Sequence, residues 1–130
     1  TKDVLEIDDS SKKFDGICMS YGLRNLNNVE EGIKKVFYLL KNKGRAGFLD
    51  FHHSPKNSLS NIFQKIYLRI VVVPISSLFN LSHEYSYIEK SIRNFPKKNE
   101  LLRIAMEFGF KKAEYRTIFF GQMAILILVK

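Results

Sequence analysis

Two runs decide the fold: Ile17-Cys18-Met19-Ser20-Tyr21, entered through Phe14-Asp15-Gly16, and Ala46-Gly47-Phe48-Leu49-Asp50-Phe51. The first is a short apolar run after a charged loop and reads as a buried strand. Its near-continuity favours a parallel strand covered on both faces. Between the runs, Asn28-Val29-Glu30-Glu31 opens a helix: Asn28 can cap, Glu31 stands three residues on as in a capping box, and both acids suit the positive helix end. Ile33, Val36, Phe37 and Leu40 form one apolar stripe. Lys41 and Lys43 suit the negative end, and Gly44 reads as the stop. Strand, amphipathic helix and strand make a right-handed parallel crossover. Ligands of such sheets bind beyond the carboxyl ends of the strands, which points at Ser20–Asn25 and Asp50–Ser54.

Outward from this unit, Leu59, Ile62, Phe63, Ile66 and Ile70 share one helical face, and Val71–Pro74 ends or kinks that helix. A further helix is expected over Glu84–Asn94, carrying Tyr85, Ile88, Ile92 and Phe95 and stopped by Pro96. Another is expected over Asn99–Phe108, with Gly109 at its end. Two strand-like runs close the chain, Ala113–Phe119 and Ala124–Val129. Their joint at Phe120-Gly121-Gln122 is short enough to force an antiparallel hairpin. Two parallel strands plus a terminal hairpin resemble the second half of a doubly wound methyltransferase sheet.

The totals bound the rest. At 130 residues, 45% hydrophobic and 26% charged, the chain suits one globular domain and is not of a disordered class. A single cysteine, Cys18, excludes an internal disulfide and a cysteine zinc site, and fits a reducing, cytoplasmic setting. Net charge is +8, from 15 Lys and 6 Arg against 13 acids. The lysine pairs are scattered along the sequence, which reads first as a solvated basic surface, then as attraction to an anionic membrane surface, and last as nucleic-acid binding. The longest uncharged runs, Ile70–Ser82 and Thr117–Val129, have 13 residues each, short of the ~20 a spanning helix needs. Thr1–Lys13 is polar and acidic, unlike a signal peptide. The abrupt start without a methionine leads to the expectation that Thr1 is not the natural beginning.

Ser20-Tyr21-Gly22-Leu23-Arg24-Asn25, following Phe14-Asp15, resembles the S-[FY]-G-[LI]-R-N hallmark of the UbiE/MenG family, the ubiquinone/menaquinone-biosynthesis C-methyltransferases. Further matches follow in order. Leu39-Leu40-Lys41 with Gly44-Arg45 resembles V-L-K-P-G-G-R, with Asn42-Lys43 in place of Pro-Gly. Leu49-Asp50-Phe51 with Pro55 resembles L-E-F-S-x-P. Tyr87, Ser91-Ile92 and Phe95-Pro96 resemble Y-L-x-x-S-I-x-x-[FH]-P, and Phe108-Gly109-Phe110 resembles A-G-F. The resemblance runs from Asp3 to Lys130.

It implies a Rossmann-like class I fold, of which residues 1–130 are the C-terminal part: the fourth to seventh strands, without the first. It implies S-adenosyl-L-methionine as cofactor. By ungapped spacing from Phe14, the adenine-contacting pair falls on Asp3 and Val4, and the serine ending the fourth strand is Ser20. Asp3 can accept from the adenine amine while Val4 offers a backbone N–H; a solvated terminal acid is the other reading of Asp3. The implied reaction is C-methylation of a prenylated quinol, namely demethylmenaquinol, demethylphylloquinol or a polyprenyl-benzoquinol. Arg24 would stabilise the developing phenolate, directly or through a water, and Asn25 would hold the hydroxyl. An Arg here can equally cap the next helix or pair with an acid. Tyr21 and Gly22 border the implied substrate pocket, where Tyr21 can equally serve packing. The apolar helices between the fifth strand and the hairpin would cover the substrate, with a basic rim suited to a bilayer-derived molecule; they can equally be ordinary core.

Departures are as informative. His52-His53 replaces the family's Ser-Lys type residues; adjacent strand residues point to opposite faces, so no metal site is expected. His83 has no evident partner in the sequence. Gly121-Gln122-Met123-Ala124-Ile125-Leu126 is closer to the branch from oxygenic phototrophs, which favours a phytylated naphthoquinol. The D-x-G-x-G turn and the ribose-binding acid are not in these 130 residues, so this segment alone is expected to bind the cofactor poorly. Two other functions compete with the enzyme: a truncated, non-catalytic methyltransferase-like binding module, and a small nucleic-acid binder. The latter lacks interleaved Arg and aromatic residues. Peripheral membrane contact and homo-oligomers are both compatible with the reading; nucleic acid is not an expected partner.

Overall fold

The computed structural model describes residues 6–7, 13–52, 90–119 and 121–130. The helical face from Leu59 to Ile70, the stop at Pro74, most of the helix expected over Glu84–Asn94, and Asp3, Val4, His53 and His83 lie outside them.

The described chain forms β1 (Phe14–Ser20), a short 3-10 turn (Leu23–Asn25), α1 (Val29–Leu39), β2 (Leu40–Phe51), α2 (Lys98–Glu107), β3 (Lys112–Ile118) and β4 (Met123–Val129). Residues 90–94 are helical. The strands order as β1-β2-β4-β3. β1 runs parallel to β2, with Ile17 opposite Ala46 and Ser20 opposite Leu49. β4 is antiparallel to both β2 and β3, in register from Lys112–Val129 to Ile118–Met123. The crossover and the terminal hairpin are therefore as expected.

Both helices pack on one face of the sheet. Alternation along β4 puts Ala124, Leu126 and Leu128 in the core. There they join Ala46 and Phe48 of β2, Ile33 and Val36 of α1, and Leu101, Ile104 and Ala105 of α2. β1 departs from the expectation of cover on both faces. Ile17 and Met19 pack against the core, while Gly16, Cys18 and Ser20 are exposed. Alternation turns every second side chain to the face away from both helices.

Asn28 caps α1 as the sequence indicates, its side chain accepting from the Glu31 N–H at 3.1 Å. The other end differs from expectation. The helix stops at Leu39, and Leu40 is already extended, paired with Phe14. The orphan carbonyls are met by lysines remote in sequence. Lys130 Nζ donates to Phe37 O (2.6 Å) and Leu40 O (2.9 Å) above the Phe37 ring, and Lys13 Nζ donates to Tyr38 O (2.6 Å). Lys41 instead pairs with Asp15 at 2.8 Å. Gly44 is not a helix stop. The strand register jumps here, from Phe14–Leu40 to Gly16–Arg45. Lys43 takes the left-handed conformation, φ 66°. A Cβ on Gly44 would lie 2.8 Å from Lys41 O and 3.2 Å from Phe14 O. Gly109, by contrast, ends α2 as expected, at φ 97°.

Two glycines of β2 give a paired prediction. Gly44→Ala forces a methyl against backbone carbonyls and is expected to destabilise by about 2 kcal/mol, whereas Gly47→Ala, with no atom within 4 Å of the added carbon, stays within about 0.5 kcal/mol. Urea denaturation of the two variants checks the contrast.

Candidate functional site

The carboxyl ends of β1 and β2 are tied together by one buried ion pair. Arg24 leaves the turn after β1, and Asp50 stands near the end of β2. Their side chains are 7% and 5% exposed, with Arg24 Nε 3.0 Å from Asp50 Oδ1. The Nε–H makes no directed hydrogen bond, so this contact is ionic. Asp50 is held further by backbone donors: Arg24 N–H to Oδ2 at 3.1 Å and Phe51 N–H to Oδ1 at 2.9 Å. Burial pushes the Asp50 carboxyl above its ordinary 3.8, and the two N–H donors and the Arg24 charge only partly oppose this. A raised folded pKa means the protonated acid favours the folded state. Asp50's contribution is thus fullest below 3.8 and declines as pH rises through its folded value.

The far end of the guanidinium is fixed as well. Arg24 Nη1 donates to Asn25 Oδ1 and, at 3.2 Å, to Ser91 Oγ from the 90–94 helix. Its carbon lies 5.3 Å from the Phe51 ring centre. Asn25 Nδ2 donates to Tyr21 O at 3.0 Å, which closes the turn on itself. Tyr21 takes φ 54°, donates its N–H to Leu49 O at 2.7 Å, and rests its ring on Phe51 with centroids 5.5 Å apart. Its hydroxyl reaches Met123 Sδ at 2.9 Å. Beside this cluster lies a cavity of about 490 Å3 between the N-terminal ends of α1 and α2, bordered by Arg24, Asn25, Asn28, Ser91, Phe95 and Ile104. Next along β2, His52 Nδ1 lies 2.9 Å from the Tyr115 hydroxyl. Burial first, and then the Asp50 charge, push the Tyr115 phenol up to about 12.

Of the residues singled out in the sequence, Tyr21, Gly22, Arg24 and Asn25 come together in one turn. Ser20 ends β1, exposed, on the sheet face opposite Met19 and the core. A Cβ on Gly22 would press on the Met19 side chain at 2.8 Å. Asp3 and Val4 lie outside the described residues. For Arg24, pairing with an acid was one of the readings left open, and the acid is Asp50. The sequence marked Asp50 as a strand end without giving it a role; the signal was an acid at that end, level with an Arg after the neighbouring parallel strand. Ser91 and the His52–Tyr115 contact had no such signal, because they join positions 67 and 63 residues apart from their partners.

An order β1-β2-β4-β3, parallel then twice antiparallel, with a polar cluster beyond the parallel strand ends, defines a class: the second half of a class I S-adenosylmethionine-dependent methyltransferase sheet. Magnesium protoporphyrin IX methyltransferase from Synechocystis PCC 6803 with bound SAH superposes on 99% of this chain, and 49% of that structure, with a TM-score of 0.52 at 16% identity. Within this class the chain belongs to the ubiE/COQ5 methyltransferase family, whose family model matches residues 2–130. It is 38% identical over 128 residues to the 2-phytyl-1,4-naphtoquinone methyltransferase of Synechocystis sp., covering 98% of this chain and 53% of that protein. It is 34% identical over 129 residues to the demethylmenaquinone methyltransferase of Chlamydia muridarum, covering 98% and 56%. The chain thus spans about half the length of the curated relatives it matches.

The ion pair predicts a non-additive cycle. Arg24→Met or Asp50→Leu alone strands a buried charge and is expected to lose about 3–5 kcal/mol, while the double variant recovers most of the loss; chemical denaturation of all four proteins measures it. The phenol gives a second expectation. Tyr115 keeps its proton in the folded chain from its ordinary 10.0 up to about 12, so stability falls as pH rises through that interval. Phenolate absorbance, compared with Tyr115→Phe, should show one tyrosine missing until the upper end of the window.

Proposed function

We propose that this chain is the C-terminal, substrate-side part of a single methyltransferase domain that C-methylates a prenylated quinol in quinone biosynthesis. The observation that carries the reading is the guanidinium of Arg24. It is fixed by Asp50, Asn25 and Ser91 and borders a cavity large enough for a quinol ring. Methylating a ring carbon requires an electron-rich ring, and therefore a hydroxyl giving up its proton. A preorganised cation beside that oxygen stabilises the phenolate as it forms, and Asn25 holds the hydroxyl in place. Tyr21 and Gly22 precede Arg24 in the same turn but do not line that cavity, and their substrate role is assigned by the family pattern alone. The families of the Synechocystis and Chlamydia relatives' names, a phytyl-naphthoquinone and demethylmenaquinone, favour a naphthoquinol over a benzoquinol ring.

The cofactor in this reading is S-adenosyl-L-methionine, which supplies an electrophilic methyl group when bound. The Ser20 hydroxyl, exposed at the carboxyl end of β1, suits a cofactor contact. Asp3 and Val4 are assigned the adenine edge by the family pattern. Among the described residues no helix is long and apolar enough to cross a membrane.

The test uses the full-length protein encoded by the gene, a demethylated prenyl-naphthoquinol and S-adenosylmethionine, with product read by mass spectrometry. Arg24→Lys keeps a charge beside Asp50 but loses the planar fork. It is expected to lower kcat about a hundredfold with little change in KM for S-adenosylmethionine. A folded Arg24→Lys enzyme with undiminished kcat, or a wild type without methyl transfer, would contradict the reading.

A further inference from the structure

The opposite end of the sheet carries a feature that methyl transfer does not use. Lysines scattered through the sequence meet at the amino ends of β1, β2 and β3 and the carboxyl end of β4. Backbone bonds fix their proximity: Lys43 N–H to Lys130 O at 3.0 Å, Lys130 N–H to Gly44 O at 3.0 Å, and Lys111 N–H to Val129 O at 2.8 Å. Arg45 stands opposite Val129, and Lys13 adjoins Phe14 at the start of β1. Among the described residues, acids at this end are engaged, Asp15 by Lys41 and Glu114 by Lys112 and Arg116. Among the described residues, Lys43, Arg45 and Lys111 have no ion-pair partner. Burial first, and then the nearby Lys13 charge, hold the Lys130 ammonium below its usual range. Gathering like charges costs stability through self-repulsion. Two aromatic side chains are exposed on residues tied to Lys13, Phe14 at 39% as its chain neighbour and Tyr38 at 47%, whose carbonyl accepts from Lys13 Nζ.

We propose that this pole is a docking surface for an acidic segment of a partner protein that carries apolar side chains among its carboxylates. The cations supply steering and the carboxylate contacts, and Phe14 and Tyr38 supply the apolar ones. A nucleic-acid backbone offers phosphates but no counterpart to the two rings, and six of the eight cations named here are lysines rather than the bidentate arginines that read bases. A bilayer is disfavoured by position, a point that rests on the proposed function. The cavity lies at the other end of the strands, about 20 Å away along β2, and a prenylated substrate must enter there. The pole then remains free for a protein partner while the cavity end meets the membrane.

The experiment measures fluorescence anisotropy of a labelled Glu-rich peptide containing Phe, with the full-length protein encoded by the gene. An all-Glu peptide, phosphatidylglycerol vesicles and duplex DNA serve as competitors, and circular dichroism verifies folding of every variant. The triple variant K43D/R45E/K111E, with Asp chosen at the left-handed position 43, is expected to weaken binding at least about tenfold. K90E/K97E/K98E at the cavity end changes charge equally and is expected to leave affinity within about twofold. F14S/Y38S should weaken the Phe-containing peptide more than the all-Glu peptide. Absence of binding by the wild type, equal loss in the two triple variants, or stronger competition by vesicles or DNA than by peptide would overturn the proposal. None of these readings depends on methyl transfer, so failure here and failure of the enzymatic reading are separable.

Discussion

A guanidinium and a carboxylate taken out of water side by side hold two strand ends at a fixed spacing. Asp50 lies near the end of β2 and cannot move without the sheet; Arg24 lies in the turn that follows β1. The carboxylate accepts from the Arg24 and Phe51 backbone N–H groups and sits against the Arg24 side chain. The turn from Tyr21 to Asn25 is thereby fastened to β2, and Tyr21, at φ 54°, is held by its bond to Leu49. Desolvation raises the Asp50 pKa despite these partners, which is the signature of a pair that stabilises little by itself. Its effect is positional: it aims the remaining guanidinium nitrogen at Ser91 and the cavity. A charge so fixed needs no reorganisation when a neighbouring oxygen becomes negative.

Much of this was legible from local sequence. The Asn28 cap, the α1 stripe from Ile33 to Phe37, the Gly109 stop and the terminal hairpin depend on short-range patterns, and they stand where the sequence puts them; Leu40, the last of the expected stripe, belongs to β2 instead. The strand-end rule also named the two loops that meet at the site. Three features were not legible, each for a reason of sequence distance or shape. The α1 terminus looked complete with Lys41, Lys43 and Gly44, but its carbonyls are met by Lys13 and Lys130, and Gly44 is required by a close approach of backbone that only the β1–β2 register creates. The burial of β1 was overestimated because an apolar run does not tell which of its two faces meets a helix. The role of Asp50 was hidden because an acid at a strand end reads as solvated until the opposing arginine is seen.

The two ends of the sheet differ in character. One gathers polar groups that are individually anchored, around a cavity. The other gathers lysines and exposed rings, with few acids among the described residues to balance them. Scattered basic residues in a sequence suggest a uniformly solvated surface; register pairing concentrates several of them at one pole. The same β2 strand links both ends, with Arg45 at one and Asp50 at the other.

The central claim is that Asp50 is a buried carboxyl coupled to the Arg24 guanidinium. Nuclear magnetic resonance tests it directly, following the Asp50 side-chain carboxyl carbon and the Arg24 Nε–H resonance together across an acid titration. The account predicts a midpoint above the ordinary 3.8 for Asp50, with the Arg24 resonance shifting at the same midpoint. An Asp50 midpoint at or below the ordinary value, with an Arg24 resonance indifferent to it, would contradict the account.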